Sequence, residues 1–175
     1  MTDRGLNTLP PALAAGDEQA YATLYDILGE RLFRTAVAIT GSREDARDLV
    51  QELFVAMVRS RDKLSRVDNL AAYMFTSLRR LAIRTSNRSR RNAAALAGRA
   101  RQAAAAASGA DEPNDQGERM ERALAALGTP QREVIALKID GGLTFAEIAA
   151  VLGVSANTAA SRYRYALENL RATLR

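Results

Sequence analysis

Apolar residues recur at helical spacing in separate stretches of the chain, and polar or glycine positions mark where each stretch begins and ends. Asp17 or Gly16 opens the first, with Tyr21, Leu24, Tyr25 and Leu28 on one stripe. A continuation from about Glu30 carries Leu32, Phe33, Ala36, Val37 and Ile39 until Gly41 stops it. Ser42 then caps a helix with Asp45 at its third position, and Leu49, Leu53, Val55 and Met57 fall inside. The next stretch starts near Asn69 and runs through Tyr73, Phe75, Leu78, Leu81 and Ala82. Periodicity is lost over Ser86–Gly117, which is Arg-rich, then Ala-rich, then rich in Ser, Gly, Asp and Pro, the composition of a linker. Ala93–Ala107 has high helix propensity, yet it offers no apolar face to dock and is marginal alone.

Helical spacing returns at Glu118, with Met120, Ala123, Leu124 and Leu127. Thr129-Pro130 is expected to cap and start a helix through Val134, Ile135 and Leu137. Thr144 and Glu147 form a Thr-x-x-Glu capping box ahead of Ile148, Ala149 and Leu152. Gly153 lets the chain leave that helix, Val154 plugs the core and Ser155 caps again. The last helix turns Ala159, Tyr163, Ala166, Leu167, Leu170 and Leu174 inward, and leaves Asn157, Thr158, Ser161, Arg162, Arg164 and Tyr165 on or near its outer face. Two helices joined by a short turn, the second polar and basic outside, form the helix-turn-helix that enters a major groove. An ordinary αα-hairpin carries the same local pattern, and Tyr165 fits either the outer face or packing on a neighbour. The expected fold is all-α: two small helical domains, residues 16–88 and 118–175, joined by a flexible linker over 89–117, with the helix-turn-helix in the second.

Composition narrows the chemistry. The chain has 175 residues, no cysteine and no histidine, which removes disulfides, thiolate chemistry, and the commonest metal ligand and general base. No catalytic residue, metal or cofactor is expected. No apolar run approaches the ~20 residues that span a bilayer, and Met1–Gly5 lacks the pattern of a secretory signal, so the reading is of a cytoplasmic binding protein without membrane insertion. The net charge of +5 is modest, but Arg79–Arg101 holds eight arginines and no acidic residue. Genome base composition accounts equally well for arginine outnumbering lysine, but not for this clustering. A cationic strip beside aromatic positions is the footprint of phosphate contact.

Two segments carry a family resemblance. Asp45-Ala46-Arg47-Asp48-Leu49-Val50-Gln51-Glu52-Leu53-Phe54 resembles the core-binding helix of bacterial RNA polymerase sigma factors. Leu124-x-x-Leu127-x-x-Pro130-Gln131-Arg132-Glu133-Val134, with Leu143–Ala149 and Leu152-Gly153-Val154-Ser155, is similar to their promoter-binding C-terminal domain. The two-domain layout resembles the extracytoplasmic-function (ECF) group. The resemblance covers nearly all of residues 16–175 apart from most of the linker. It implies a factor that binds core polymerase, through the large-subunit clamp helices and flap, and directs promoter-specific initiation.

Site expectations follow from both lines. Asp48 and Glu52 stand at i and i+4 with Gln51 beside them, an acidic, hydrogen-bonding edge suited to a basic helical partner. The same carboxylates also fit a plainly solvated face, and Asp45 fits a service to the helix N-terminus. Asn69, Tyr73, Arg79, Arg80, Arg84 and Arg88 combine amide, aromatic and cationic groups as single-strand binding does, and the resemblance implies capture of the opened minus-ten element by this helix and the loop over about Leu64–Asn69. Phe75 is expected in the core; Tyr73 fits either role. The family pattern favours tryptophan at Tyr73, asparagine at Arg80 and aspartate at Arg84, so this chain is more basic there. Asn157, Thr158, Ser161, Arg162 and Arg164 are expected on the minus-35 duplex, with Arg162 on phosphate or guanine. At Ala159-Ala160 the family usually has valine and a basic residue, a loss expected to lower nonspecific affinity. The resemblance also implies an anti-sigma partner that wedges between the domains, and a monomer is expected in isolation. Two other functions fit parts of the pattern: a sigma-like decoy that titrates an anti-sigma factor, and a stand-alone helix-turn-helix regulator.

Overall fold

Proline at helix starts and glycine at helix ends punctuate the chain as their backbone preferences require. The computed structural model describes residues 3–96 and 115–174, and among these the regular structure is helical, with no strand. A 3-10 turn over Asp3–Thr8 leads into a short helix α1 (Pro10–Ala15), which begins on proline and ends at Gly16 with φ 82°. The Arg61 side chain closes over Gly16, where a Cβ would lie 2.7 Å from its Nη1. The hydrophobic pattern places the first helical block from residue 16 onward, yet Leu6 and Leu13 are fully buried. Helical pieces of six residues are too short to print a periodicity.

Asp17 opens α2 (Glu18–Thr40) by accepting from the Gln19 N–H at 2.9 Å, and Gly41, at φ 73°, ends it. One helix therefore replaces the two pieces the pattern suggests. Ser42 caps α3 (Arg43–Arg59) by accepting from the Asp45 N–H at 3.2 Å, as the sequence predicts. Two inward assignments are corrected. Val55 is 43% exposed and Tyr25 58% exposed. Val55 stands two residues from both Leu53 and Met57, about 200° round the helix from each, so the buried stripe is completed by Val50 instead. Tyr25 meets the Phe54 ring at the surface, with centroids 5.3 Å apart.

A second 3-10 turn, Arg61–Arg66, buries Leu64 and leads to α4 (Leu70–Leu96), capped by the Asn69 side chain, which accepts from the Ala72 N–H at 2.9 Å. Phe75 is buried, as expected, with Leu70, Met74 and Leu78. After the residues outside the description come α5 (Asp115–Ala126), α6 (Thr129–Ile139), α7 (Phe145–Leu152) and α8 (Ala156–Leu174). Thr129 does not cap α6. Gly128 occupies that position, and the Thr129 hydroxyl accepts from Arg132 at 3.5 Å. Met120 is exposed while Ala123 and Leu127 of the same stretch are buried.

Two apolar clusters organise the packing. The smaller joins α5, α6 and α8 through Ala123, Leu127, Ile135, Ala166 and Leu170. The larger runs from Leu6 and Leu13 through α2, α3 and α4 and continues into Val134, Leu137, Leu143, Ile148, Val151 and Leu152. Helices from before and after the linker thus share one core, with α2 against α6 and α4 against α7.

Candidate nucleic-acid interface

The C-terminal motif forms from the signals in its sequence. Thr144 accepts from the Glu147 N–H at 3.3 Å while the Glu147 carboxylate accepts from the Thr144 N–H at 2.7 Å, a complete capping box. Gly153 ends α7 at φ 69°, and the Ser155 hydroxyl accepts from the Thr158 N–H at 3.1 Å to start α8. Phe145 and Tyr163 meet edge-to-face at 5.6 Å and hold the two helices together. Lys138 closes the preceding turn by donating to the Leu143 carbonyl at 2.9 Å.

On α8, Asn157 and Arg164 are exposed, and Thr158, Ser161 and Arg162 half-buried. Ser161 accepts from Arg164 at 3.3 Å, and Thr158 shares a hydrogen bond with Ser155 at 2.8 Å. Tyr165, left open by the sequence, is 61% exposed beside Arg164 rather than packed inward. The group expected to meet duplex DNA therefore lies along the α8 N-terminal half, next to the turn.

The acidic edge of α3 is fully displayed: Asp48, Gln51 and Glu52 are all exposed. Sequence reasoning missed its apolar continuation. Val55 and Val58 (47% exposed) follow Gln51 at i+4 and i+7, and with Tyr21, Phe54 and Arg59 they line an open groove. The signal available was Val55 standing off the inward stripe. An exposed apolar strip bordered by carboxylates is the composition of a protein interface.

The α4 residues divide. Arg80 and Arg84 are exposed on the outer side. Tyr73 is half-buried and packs on the main core. Asn69 and Arg79 instead face the C-terminal helices. Asn69 donates through Nδ2 to Glu147 Oε1. Arg79 Nε lies 3.3 Å from Glu133 Oε2, and its Nη1 donates to the Val151 carbonyl at 3.3 Å. The side chain of Arg88 lies outside the described residues, as does most of the 89–117 linker.

A second set of cross-linker contacts centres on the α6–α7 turn. Arg31 donates to the carbonyls of Asp140 and, at 2.9 Å, Gly141. Arg34 Nε lies 2.6 Å from Asp140 Oδ1, and this bond above all makes its guanidinium harder to deprotonate than usual. A Cβ on Gly141 would sit 2.3 Å from the Leu137 carbonyl oxygen, so the turn needs glycine there. Among the described residues no helix is long and apolar enough to cross a membrane.

Comparison with known proteins matches these two halves separately. The Sigma-70 region 2 family matches residues 24–92 and the Sigma-70, region 4 family residues 117–170. The ECF RNA polymerase sigma factor SigL of Mycobacterium tuberculosis is 31% identical over 164 residues, 92% of each chain. The ECF RNA polymerase sigma factor EcfG of Rhodopseudomonas palustris is 30% identical over 139 residues, 79% of this chain and 76% of that one. CnrH, solved in complex with the cytosolic domain of CnrY, superposes with a TM-score of 0.62 at 25% identity over 96% of both chains. The sigma factor RpoE of Bartonella quintana, solved with the anti-sigma factor NepR, shares the fold with a TM-score of 0.64 at 24% identity, over 98% of this chain and 94% of that one. With region 2 and region 4 present in order, and SigL matched over 92% of its length, the chain belongs to the ECF group of sigma-70 RNA polymerase sigma factors.

Proposed function

We propose that this chain binds core RNA polymerase and directs initiation at a restricted set of promoters, with residues 16–88 as the core-binding and minus-ten unit and 118–175 as the minus-35 unit. The observation that carries the reading is the ordered pair of sigma regions on one chain, the second with its helix-turn-helix formed by a complete capping box. Asp48, Gln51 and Glu52 are proposed to engage the polymerase clamp helices, an assignment supported by their exposure beside the apolar strip. Asn69, Tyr73, Arg79, Arg80, Arg84 and Arg88 are proposed for the opened minus-ten strand. Asn157, Thr158, Ser161, Arg162 and Arg164 are proposed for the minus-35 duplex.

In this reading the protein catalyses no bond-breaking step. Strand opening is driven by the affinity of α4 for single-stranded DNA, and tethering two weak sites makes the second encounter intramolecular. The protein works in the cytoplasm as a monomer before it meets polymerase. An anti-sigma factor fits as a partner, since CnrH and RpoE were each solved as complexes.

Run-off transcription tests the proposal: purified core polymerase, the promoter upstream of this protein's own gene, and the protein present or absent. Protein-dependent transcripts from a defined start are expected. Core binding without any transcript would instead favour a decoy that titrates an anti-sigma factor. Operator binding with no affinity for core would favour a stand-alone regulator.

A further inference from the structure

Residues 3–16 lie ahead of the region 2 match, yet they are built into the core. Leu6 and Leu13 are fully buried and join the same apolar cluster as Leu64, the buried residue of the Arg61–Arg66 turn. Helix α1 packs along that turn, and the Asp3–Thr8 turn packs on α4. Two polar contacts fix the arrangement. The Tyr21 hydroxyl donates to the Leu13 carbonyl at 3.1 Å, and the Arg61 side chain closes over Gly16.

The Arg61–Arg66 turn needs outside support. A 3-10 run of six residues is longer than the roughly 3–4 that its poorer hydrogen bonds usually sustain. Ser60, at its start, gives it no side-chain cap, and the Ser60 hydroxyl donates back to the Ala56 carbonyl at 2.8 Å instead. Beyond Leu64 the chain emerges, with Ser65, Arg66 and Asp68 exposed, and it is pinned again where the Asn69 side chain caps α4. The stretch that the sigma resemblance gives to minus-ten capture, Leu64–Asn69, therefore hangs between two anchors, and α1 sets the first. We propose that residues 3–16 are a positioning element for this loop: Leu6, Leu13 and the Gly16–Arg61 contact hold its first anchor, so that it meets the opened strand already shaped. The inference rests on the minus-ten reading above. A loop ordered in advance loses less freedom on binding, and its apparent affinity scales with the fraction of molecules in the competent shape. Leu6, Leu13 and Gly16 are none of the residues proposed to touch DNA or polymerase.

The test uses the full chain with L13A, and with G16A, which sets a methyl group against Arg61 and leaves the core side chains in place. L32A is the control: it empties an equally buried leucine site about 16 Å further along α2 than Tyr21. Amide hydrogen exchange over residues 61–69 is measured on the free protein. Holoenzyme formed with saturating core polymerase is then assayed by run-off transcription from the promoter upstream of the protein's own gene, once as duplex and once pre-opened by mismatches just upstream of the mapped start. In L13A, exchange over 61–69 should quicken by about tenfold and duplex transcription should fall by about fivefold or more, with the pre-opened template restoring most of it. G16A should move the same readings the same way by less, and it decides alone if L13A loses its helical circular dichroism. L32A should show neither the selective exchange nor the difference between templates. Equal losses on both templates, as a merely structural role would give, overturn the proposal, and so does unchanged exchange over 61–69 in both variants. The two readings fail separately: no transcript from the unaltered chain on either template removes the minus-ten reading and the loop's role with it, whereas full duplex transcription beside faster exchange removes only the positioning role.

Discussion

Asn69 and Glu147, far apart in sequence, meet through a side-chain hydrogen bond, and each also caps a helix of its own. Asn69 Oδ1 accepts from the Ala72 N–H at the start of α4, and Glu147 closes the Thr144 capping box of α7. Two helix starts are thereby fixed against each other by residues whose first duty is local. Capping removes rotamer freedom from both side chains, so the bond between them costs little further entropy.

That dual role separates two substitutions. T144A removes the hydroxyl that accepts from the Glu147 N–H but leaves the Glu147 carboxylate on the backbone N–H of residue 144 and facing Asn69, and should cost about 1 kcal/mol of unfolding free energy in urea. E147A removes the carboxylate half of the box together with the partner of Asn69, and should cost more, by roughly 0.5–1.5 kcal/mol, the usual net worth of a hydrogen bond. Equal losses for the two variants would show that the Asn69 contact contributes nothing.

The exposed edge of α3 should respond in binding rather than in stability. D48K/E52K changes two fully exposed side chains, so its melting should stay within about 0.5 kcal/mol of the unaltered protein. Its affinity for core polymerase, read by fluorescence anisotropy of a labelled sigma chain, should be lost. V55D and V58D should also weaken core binding, because the apolar strip beside the carboxylates would be buried on docking. Normal core affinity in D48K/E52K would remove this face from the proposed contact.

The comparison of pattern with structure is instructive residue by residue. Caps were legible because they depend on neighbours three positions away: Ser42 with Asp45 and Thr144 with Glu147 are local contacts that spacing alone reveals. Phe75 was legible because its neighbours Leu70, Met74 and Leu78 repeat at helical intervals. Val55 and Tyr25 were misplaced, since hydrophobicity alone does not say which face of a helix a residue takes: Val55 lies about 200° round α3 from Leu53 and Met57, and Tyr25 packs on the Phe54 ring at the surface. The closure between the halves was illegible in another way. Arg31, Arg34 and Arg79 look like surface cations until the fold brings Asp140 and Glu133 to them across the linker.

Phe75 and Tyr73 sit two residues apart on α4 and should divide stability from DNA binding. Phe75 is fully buried, so F75A should cost about 3–5 kcal/mol, the range for deleting a core aromatic ring. Tyr73 is only half-buried, and Y73A should cost much less. Its effect should appear in affinity for the opened minus-ten strand, by about 1–3 kcal/mol if a base stacks on the ring. Urea denaturation and oligonucleotide titration of both variants make the comparison, and a Y73A protein with unaltered single-strand affinity would return Tyr73 to a packing role.

Tyr21 links the N-terminal segment to α2 and gives the fold a dependence on alkaline pH. Its hydroxyl donates to the Leu13 carbonyl at 3.1 Å, and burial pushes the phenol above its ordinary value of 10.0, with Arg61 opposing in part. The folded state thus holds this proton more tightly than the unfolded chain does. Its contribution is therefore complete below the unfolded value and is lost as pH rises past it through the folded one. Y21F removes the donor and should cost about 1 kcal/mol near neutral pH. Phenylalanine does not ionise, so the gap between the two proteins should close above the ordinary tyrosine range as the parent loses its bond. Urea denaturation of both proteins at neutral and alkaline pH reads this directly, and a gap that stays constant across that interval would mean that folding does not push the Tyr21 phenol above its ordinary value.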